Sequence, residues 1–149
     1  MKIFTKALLL CTIVCYAFTS NAQILSSNKT SLFAGVAPSF KAAISELDKA
    51  FLAKEGSVIQ LQFSNNFVFS GTIMSSVQRY GKLSSIIVKS PSLQNTLLSL
   101  SKRTNEDNTI TYVGRILNGS YADGYELNKN TDGTYTFNKV KSEDLLQDY

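Results

Sequence analysis

The sequence predicts an α+β protein dominated by β-structure, with one N-terminal helix packed on a curved antiparallel sheet. Apolar residues recur at helical spacing between Pro38 and Gly56, and from Ser57 onward they alternate with polar residues at the spacing of strands. Turn-forming clusters separate about seven strands with no helical segment between them, as in an antiparallel meander. A strongly curved sheet of this size could also close in part into a barrel.

The helix is predicted over residues 39–55. Pro38 suits its first turn, and Gly56 follows as a C-terminal stop. Positions i, i+4, i+7 and i+11 share one face of a helix, and here all four are apolar. They are Phe40, Ile44, Leu47 and Phe51. Because an amphipathic helix ordinarily packs its apolar face on the protein's own core, we expect this face to cover the sheet.

Seven strands are predicted from the alternation of apolar and polar residues. Their ranges are 59–63, 67–74, 83–89, 96–101, 109–117, 121–128 and 134–140. Gly71 and Gly114 lie on the apolar side of two long strands, where a glycine marks a bend or a close approach of another segment. The apolar face also constrains each hairpin loop, since a slip of one residue turns every side chain over.

One hairpin is expected to have the tightest connection. Asn and Gly at 118–119 favour a two-residue turn between strands. Such a turn sets Tyr112 opposite Tyr125, so the apolar residues of both strands share one face. It also places Asp123 opposite Gly114.

Two other hairpins require an odd number of loop residues to keep their apolar residues together. A loop over residues 64–66 sets Leu61 opposite Phe69. A loop of three or five residues around Gly133, with this glycine in the left-handed conformation, keeps Phe137 on the apolar face. We therefore expect bulged or odd-numbered loops at both places.

Residues 1–22 have the form of a bacterial export signal. Lys2 and Lys6 precede an apolar run over residues 7–18, and small residues then lead to a cleavage site that we place after Ala22. The run is shorter than the roughly 20 residues that span a bilayer, so no transmembrane segment is expected in the mature chain. The protein is therefore expected to be secreted or periplasmic.

The remaining chain divides into two parts. Residues 23–37 are Ser-rich and mixed in character, which is typical of a linker or a loosely docked arm. Residues 38–149 are expected to form a single domain. Lipid anchoring at Cys15 is the alternative to simple cleavage, although Val14 is not the small residue that such an anchor favours before the cysteine.

Composition excludes several chemistries. The chain has no histidine, and both cysteines, Cys11 and Cys15, lie within the export signal. The mature protein therefore cannot build a Ser-His-Asp triad, a zincin-type zinc site or a redox dithiol. After cleavage 13 basic and 11 acidic residues remain, without the basic clusters that nucleic-acid binding needs. We expect no cofactor, no metal and no nucleic-acid partner.

Asp123 is the acidic residue that the pattern singles out. It shares the apolar side of its strand with Tyr121 and Tyr125, and a carboxylate in that position could line a ligand pocket. Two plainer interpretations stay open. The strand could break at the turn dipeptide Asp123-Gly124, or Asp123 could pair with Lys139 on the same face.

The other candidate sites are aromatic or loop features. Tyr112, Tyr121 and Tyr125 could form a stacking platform for a sugar or peptide, or they could pack in the core as cross-strand pairs. Residues 128–133 follow the outline of a calcium loop, but its twelfth position is Lys139 instead of an acid. An Asp-Gly hairpin is therefore expected there.

The leading functional hypothesis is an exported, non-catalytic module that binds a protein partner or a small hydrophobic ligand in the concave space between helix and sheet. Its candidate binding residues are Tyr112, Tyr121, Asp123 and Tyr125, and no residue is assigned a catalytic role. The alternative is a secreted protein-level inhibitor or envelope-complex subunit that acts through a loop or a sheet edge. A hydrolase dependent on the Asp123 carboxylate is the least favoured hypothesis.

Overall fold

The computed structural model describes residues 29–146, so the export signal predicted at 1–22, together with Cys15, lies outside the described residues. The elements in chain order are β1 (Ser39–Ala42), α1 (Ile44–Leu52), β2 (Val58–Ser64), β3 (Phe67–Arg79), β4 (Leu83–Ser90), a 3-10 turn (Pro91–Leu93), β5 (Thr96–Thr104), β6 (Ile110–Leu117), β7 (Asp123–Lys129), β8 (Tyr135–Lys141) and α2 (Ser142–Leu146). Within residues 29–146, no helix is long and apolar enough to cross a bilayer.

All eight strands belong to one antiparallel sheet with the order β1-β8-β7-β6-β5-β4-β3-β2. The strands from β2 to β8 form a meander, and β1 returns to pair with β8. The fold class predicted from the sequence is therefore confirmed, with eight strands in place of about seven. The additional strand is β1.

The sheet curls until its two end strands approach each other, so that it is nearly closed into a barrel. Phe40 of β1 and Phe63 of β2 stack across this seam with ring centroids 6.3 Å apart. Phe137 of β8 packs against both rings, at 5.5 Å from Phe40 and 4.9 Å from Phe63. Aromatic packing thus holds the seam together on the inner side.

The helix prediction is wrong in its extent, because α1 covers only Ile44–Leu52 instead of 39–55. Residues 39–42 alternate between exposed and buried, and they form the strand β1, in which Phe40 pairs with Phe137. Four residues satisfy their backbone groups better on an existing sheet than in one isolated helical turn. As a result Ile44 is 47% exposed, and the buried helix positions are Leu47 and Ala50.

The core fills the space between α1 and the inner side of the sheet. Its fully buried large side chains include aromatic residues from β3, β7 and β8 and aliphatic residues from α1 and β2 to β6. Those with the largest volume are Tyr125, Tyr135, Phe33, Phe69, Phe137, Leu47 and Leu61. Phe33 comes from residues 29–38, which precede β1, so this described stretch contributes to the core.

The two hairpins predicted to need odd loops keep the expected faces. Leu61 pairs with Phe69 as predicted, but the loop has two residues, since Ser64 pairs with Phe67. A bulge between Gln62 and Ser64 supplies the odd residue. In the β7–β8 hairpin five residues separate the paired strand ends, and Gly133 has φ +83°, so that prediction is confirmed.

The two-residue turn predicted at 118–119 is wrong. Ile116 pairs with Tyr125, and the five residues 118–122 connect β6 to β7. Asp123 lies opposite Lys141 of β8. The longer loop has partners of its own, because the amide of Ala122 donates to the carbonyl of Thr30 at 2.9 Å. The register differs from the predicted one by four residues, an even number, so every side chain keeps its predicted face.

The two glycines predicted to mark a close approach do so. A Cβ atom at Gly71 would lie 2.4 Å from the carbonyl oxygen of Lys89. At Gly114 it would lie 2.4 Å from Cδ2 of Leu100 and 2.8 Å from the carbonyl oxygen of Ser99. At both positions atoms of the neighbouring strand lie so close that no side chain fits.

Candidate functional site

Asp123 holds the segment that precedes β1. Its carboxylate, in a residue that is 8% exposed, accepts hydrogen bonds from the amides of Leu32 (2.7 Å) and Phe33 (3.2 Å) and from the hydroxyl of Ser31. We call residues 29–38 the N-terminal arm. Asp123 lies in a strand, not at a turn, and the arm occupies both of its carboxylate oxygens.

Lys139 and Tyr125 bind the same arm from neighbouring strands. Lys139 Nζ donates to the carbonyl of Phe33 at 2.6 Å and to that of Val36 at 2.8 Å. The Tyr125 hydroxyl donates to the carbonyl of Ala37 at 2.7 Å. Burial, with a smaller contribution from the Asp123 carboxylate, raises the pKa of Tyr125 to about 12. Asp123 and Lys139 thus share a face, as predicted, but each binds the arm's backbone.

Tyr112 belongs to a separate cluster that ties α1 to the sheet. Its hydroxyl and the ammonium of Lys102 both donate to Asp48 Oδ1, each at 2.6 Å. Partial burial raises the pKa of Asp48, but these two hydrogen bonds and the positive charge of Lys102 together outweigh it and lower the pKa overall. Burial and the nearby Asp48 carboxylate raise the pKa of Tyr112. The cluster therefore keeps a charged carboxylate beside a neutral tyrosine.

The structure does not bring the three candidate tyrosines together as one platform. Tyr112 packs against Phe51 and Tyr135, with centroids 6.3 and 5.4 Å away. The ring of Tyr125 contacts phenylalanines of the arm, β1 and β3. Tyr121 is half-buried in the loop before β7. Each ring therefore has its own neighbours, and two of the three hydroxyls are bound within the protein.

The described acidic residues do not form a metal-binding cluster. Among residues 29–146, no group of three or more His, Cys, Asp or Glu could hold a metal ion. In the segment with the calcium-loop outline, Asp132 Oδ1 accepts from the amide of Thr134 at 2.9 Å and from its hydroxyl at 2.7 Å. The pKa of Asp132 is lowered by these hydrogen bonds. The segment is an ordinary Asp-Gly hairpin.

The outer side of the sheet carries the feature that sequence reasoning missed. Pairing across β3, β4, β5 and β6 forms two rows of outward side chains. The rows are Val77, Ser85, Ser101 and Val113, and Ser75, Ile87, Ser99 and Arg115. We call their seven uncharged members the outer patch. Val113 is 57% exposed, Val77 43% and Ile87 38%.

The residues between these aliphatic side chains are serines, whose side chains are short. The hydroxyls of Ser85 and Ser101 hydrogen-bond to each other at 2.8 Å, so this cross-strand pair occupies its own polar groups. Long polar side chains, which ordinarily cover the water-facing side of a sheet, do not occur among the seven positions. The outer patch is therefore a surface of small and aliphatic groups.

A cleft borders the outer patch where β6 and β7 separate. Their pairing ends at Gly114 and Leu127, and beyond that point the amide of Tyr112 donates to the Tyr135 hydroxyl at 3.1 Å. The cleft has a volume of about 480 Å³ and is lined in part by Ser99, Ser101 and Val113. On its far side Arg115 donates to the carbonyl of Leu145 at 3.0 Å. Patch and cleft form one continuous surface.

A sequence signal for this surface does exist. Residues 56–105 contain no Asp or Glu and five Lys or Arg residues. An acid-free stretch of that length, read with the strand alternation, would have drawn attention to the strands from β2 to β5. No protein-family model, curated protein or solved structure matches this chain.

Proposed function

We propose that the chain is an exported, non-catalytic interaction module that binds a partner protein through the outer patch. The observation that carries the proposal is the patch itself, a continuous surface of exposed aliphatic side chains and small serines on four paired strands. Contiguous apolar surface on a soluble domain is characteristic of an interaction site. The depletion of charge at its centre is also typical of the middle of a protein interface.

The inner side of the sheet supports this choice. The leading hypothesis from the sequence placed a ligand between helix and sheet, with Tyr112, Tyr121, Asp123 and Tyr125 as binding residues. Core side chains occupy that space, and the polar groups of Tyr112, Asp123 and Tyr125 bind the protein itself. In this proposal these three residues hold α1 and the arm, and contact with the partner is made from outside.

The sheet edge is a weaker alternative than the sheet face, because α1 covers part of the edge of β2. Lys49 Nζ donates to the carbonyl of Gln60 at 2.7 Å. The amide of Gln62 donates to Glu46 at 2.9 Å. Side chains that bind the backbone of an edge strand block the addition of a further strand. An inhibitor or envelope subunit of the kind predicted from the sequence would therefore act through the patch.

Photo-crosslinking in the cells that export the protein tests the proposal. A photoreactive phenylalanine analogue replaces Val113, and in a control chain it replaces Val68, which is also outward-facing and 41% exposed. We expect one discrete adduct at position 113 that disappears when Val77→Gln is added, and none at position 68. Equal adducts at both positions, or none at 113, would contradict the proposal.

A second candidate function rests on a cleft of about 540 Å³ beside the start of α1. Its lining is mostly apolar and includes Ala42, Ile44, Phe63 and Tyr135. Such a cleft could hold a small hydrophobic ligand. If it does, binding of a fluorescent fatty-acid probe will be lost in Ile44→Arg and retained in Leu52→Arg, an exposed position at the other end of the helix. Equal binding in both variants would exclude this site.

A further inference from the structure

Basic residues border the outer patch at both ends. Pairing across β3, β4 and β5 places Arg79, Leu83 and Arg103 in the row next to Val77, on the same outward side. At the opposite end Lys89 faces outward, two residues beyond Ile87 in β4. The patch is therefore an uncharged surface between cations.

These cations are not compensated by the protein's own acids. Within residues 29–146, none of Arg79, Lys89 and Arg103 takes part in an ion pair. Lys102 is the informative contrast, because it faces inward from the same strand as Arg103 and bonds Asp48 at 2.6 Å. The strands β3 to β6 contain no Asp or Glu that could serve the outward side.

The acids nearest in sequence lie in a loop, where one of the two has hydrogen-bond partners. Glu106 and Asp107 lie in the connection between β5 and β6. Asp107 Oδ1 accepts hydrogen bonds from the amide of Thr109 at 3.0 Å and from its hydroxyl at 2.6 Å. These bonds lower the pKa of Asp107. The Asp107 carboxylate thus stabilises the turn of its own loop.

The hairpin tip next to the patch adds an exposed aromatic residue. Tyr80 is 96% exposed, has φ +53°, and lies between Arg79 and Gly81-Lys82. A side chain with positive φ is uncommon outside glycine, and this one is presented to solvent. Tyrosine and arginine are the residue types enriched at protein interfaces, where they anchor the contact. The exposed Tyr80 at the tip therefore enlarges the surface that a partner could contact.

We infer that the partner presents an acidic protein surface, with Asp and Glu residues around an aliphatic centre; this inference rests on the proposed function. A second copy of this chain is disfavoured, because facing patches would bring cations against cations. An anionic bilayer is also disfavoured, since the short side chains of Val77 and Val113 lie beside longer arginines and cannot reach past lipid headgroups. Acidic residues of the partner would complement the basic residues that border the patch, and its aliphatic centre would contact the aliphatic residues of the patch.

Peptide selection gives the partner's chemistry without knowledge of its identity. A phage-displayed library of random peptides is selected on the immobilised chain, and the enriched peptides are synthesised for affinity measurement. We expect peptides that combine Asp or Glu with aliphatic residues. Their Kd should rise at least about tenfold in Arg79→Glu/Arg103→Glu and rise with added salt. It should stay unchanged in Lys41→Glu, an exposed lysine of β1, which pairs with β8 and lies outside the four patch strands.

The outcomes separate this inference from the proposed function. Neutral or basic peptides whose binding is lost in Val77→Gln/Val113→Gln would overturn the inference and leave the proposed function intact. Failure to enrich any peptide, or peptides unaffected by that double variant, would overturn both. Tight binding to phosphatidylglycerol vesicles, with no binding to phosphatidylcholine vesicles and no enriched peptide, would assign the patch to a membrane surface instead. Circular dichroism and thermal unfolding establish that each variant is folded.

Discussion

Two regions of the molecule differ in what their charged side chains bind. One is the end of β7 and β8 that binds the arm, and the other is the outer patch of β3 to β6. At the first, Asp123 and Lys139 bind amides and carbonyls of the arm, so both charges are used inside the protein. At the second, Arg79 and Arg103 face outward without ion pairs in the described chain. The charged side chains that bind the arm stabilise the fold, whereas the outward-facing arginines are available to a partner.

The difference predicts where substitutions act. Removing a buried group that several donors share leaves those donors unsatisfied and lowers the free energy of unfolding. Removing an exposed side chain leaves the fold nearly unchanged. Changes at the arm should therefore alter stability, and changes at the patch should alter binding. The following predictions test this division from the largest expected effect to the smallest.

Replacement of Asp123 by alanine should have the largest effect. It removes the shared acceptor of Leu32, Phe33 and Ser31, so we expect the free energy of unfolding to fall by about 3 kcal/mol. Urea denaturation measures the change. Asp144→Ala, at an exposed position of α2, is the control and should change stability by less than about 0.5 kcal/mol. Equal effects at both positions would show that the arm is not held by Asp123.

Gly71→Ala tests the packing of the strand that carries the patch. The new Cβ atom would meet the carbonyl oxygen of Lys89 at 2.4 Å, and a backbone atom cannot swing aside. We expect a loss of about 2 kcal/mol, measured by thermal and urea unfolding. Gly119→Ala is the matched control, because nothing lies within 4 Å of its Cβ position. A tolerated Gly71→Ala would mean that the β3–β4 sheet is loose enough to adapt.

Tyr112→Phe removes one of two hydrogen bonds to Asp48 and should cost about 1 kcal/mol at neutral pH. The folded pKa of Asp48 lies below its unfolded value. The stabilisation is therefore present above the unfolded pKa of about 3.9 and is lost as the pH falls through the lower folded value. The difference between the two chains should accordingly shrink in acid.

The control for that experiment is Tyr80→Phe. Tyr80 is almost fully exposed, so loss of its hydroxyl should leave unfolding unchanged across the same pH range. A pH-independent effect of Tyr112→Phe would contradict the expectation that the Tyr112 hydroxyl stabilises the fold through its bond to the charged Asp48 carboxylate.

Val77→Gln/Val113→Gln should have the smallest effect on stability, within about 0.5 kcal/mol for each substitution, because both side chains are exposed. In the crosslinking experiment described above, where position 113 carries the photoreactive analogue, Val77→Gln alone should remove the adduct. A large loss of stability would place these residues with the fold and end the division between arm and patch.

The sequence determined the faces of the strands, because alternation sets which side chains point inward whatever the loop lengths are. The β6–β7 register differs from the prediction by four residues, yet Tyr112 and Tyr125 still lie on the inner side. The close approach at Gly71 and Gly114 was likewise predictable, since a glycine among apolar strand residues has a steric reason.

Only the tertiary structure decided what the arm, β1 and the polar residues do. Residues 39–42 fit both a helix and a strand, and the free edge of β8 selected the strand. Asp123 looked like a ligand-binding acid because its donors are backbone amides some 90 residues earlier in the chain. The acid-free stretch 56–105 marks β3, β4 and β5, but no local pattern records the pairing of four strands that forms the outer patch. Local periodicity determines which side of the sheet a side chain faces, but contacts between distant segments determine which groups it binds.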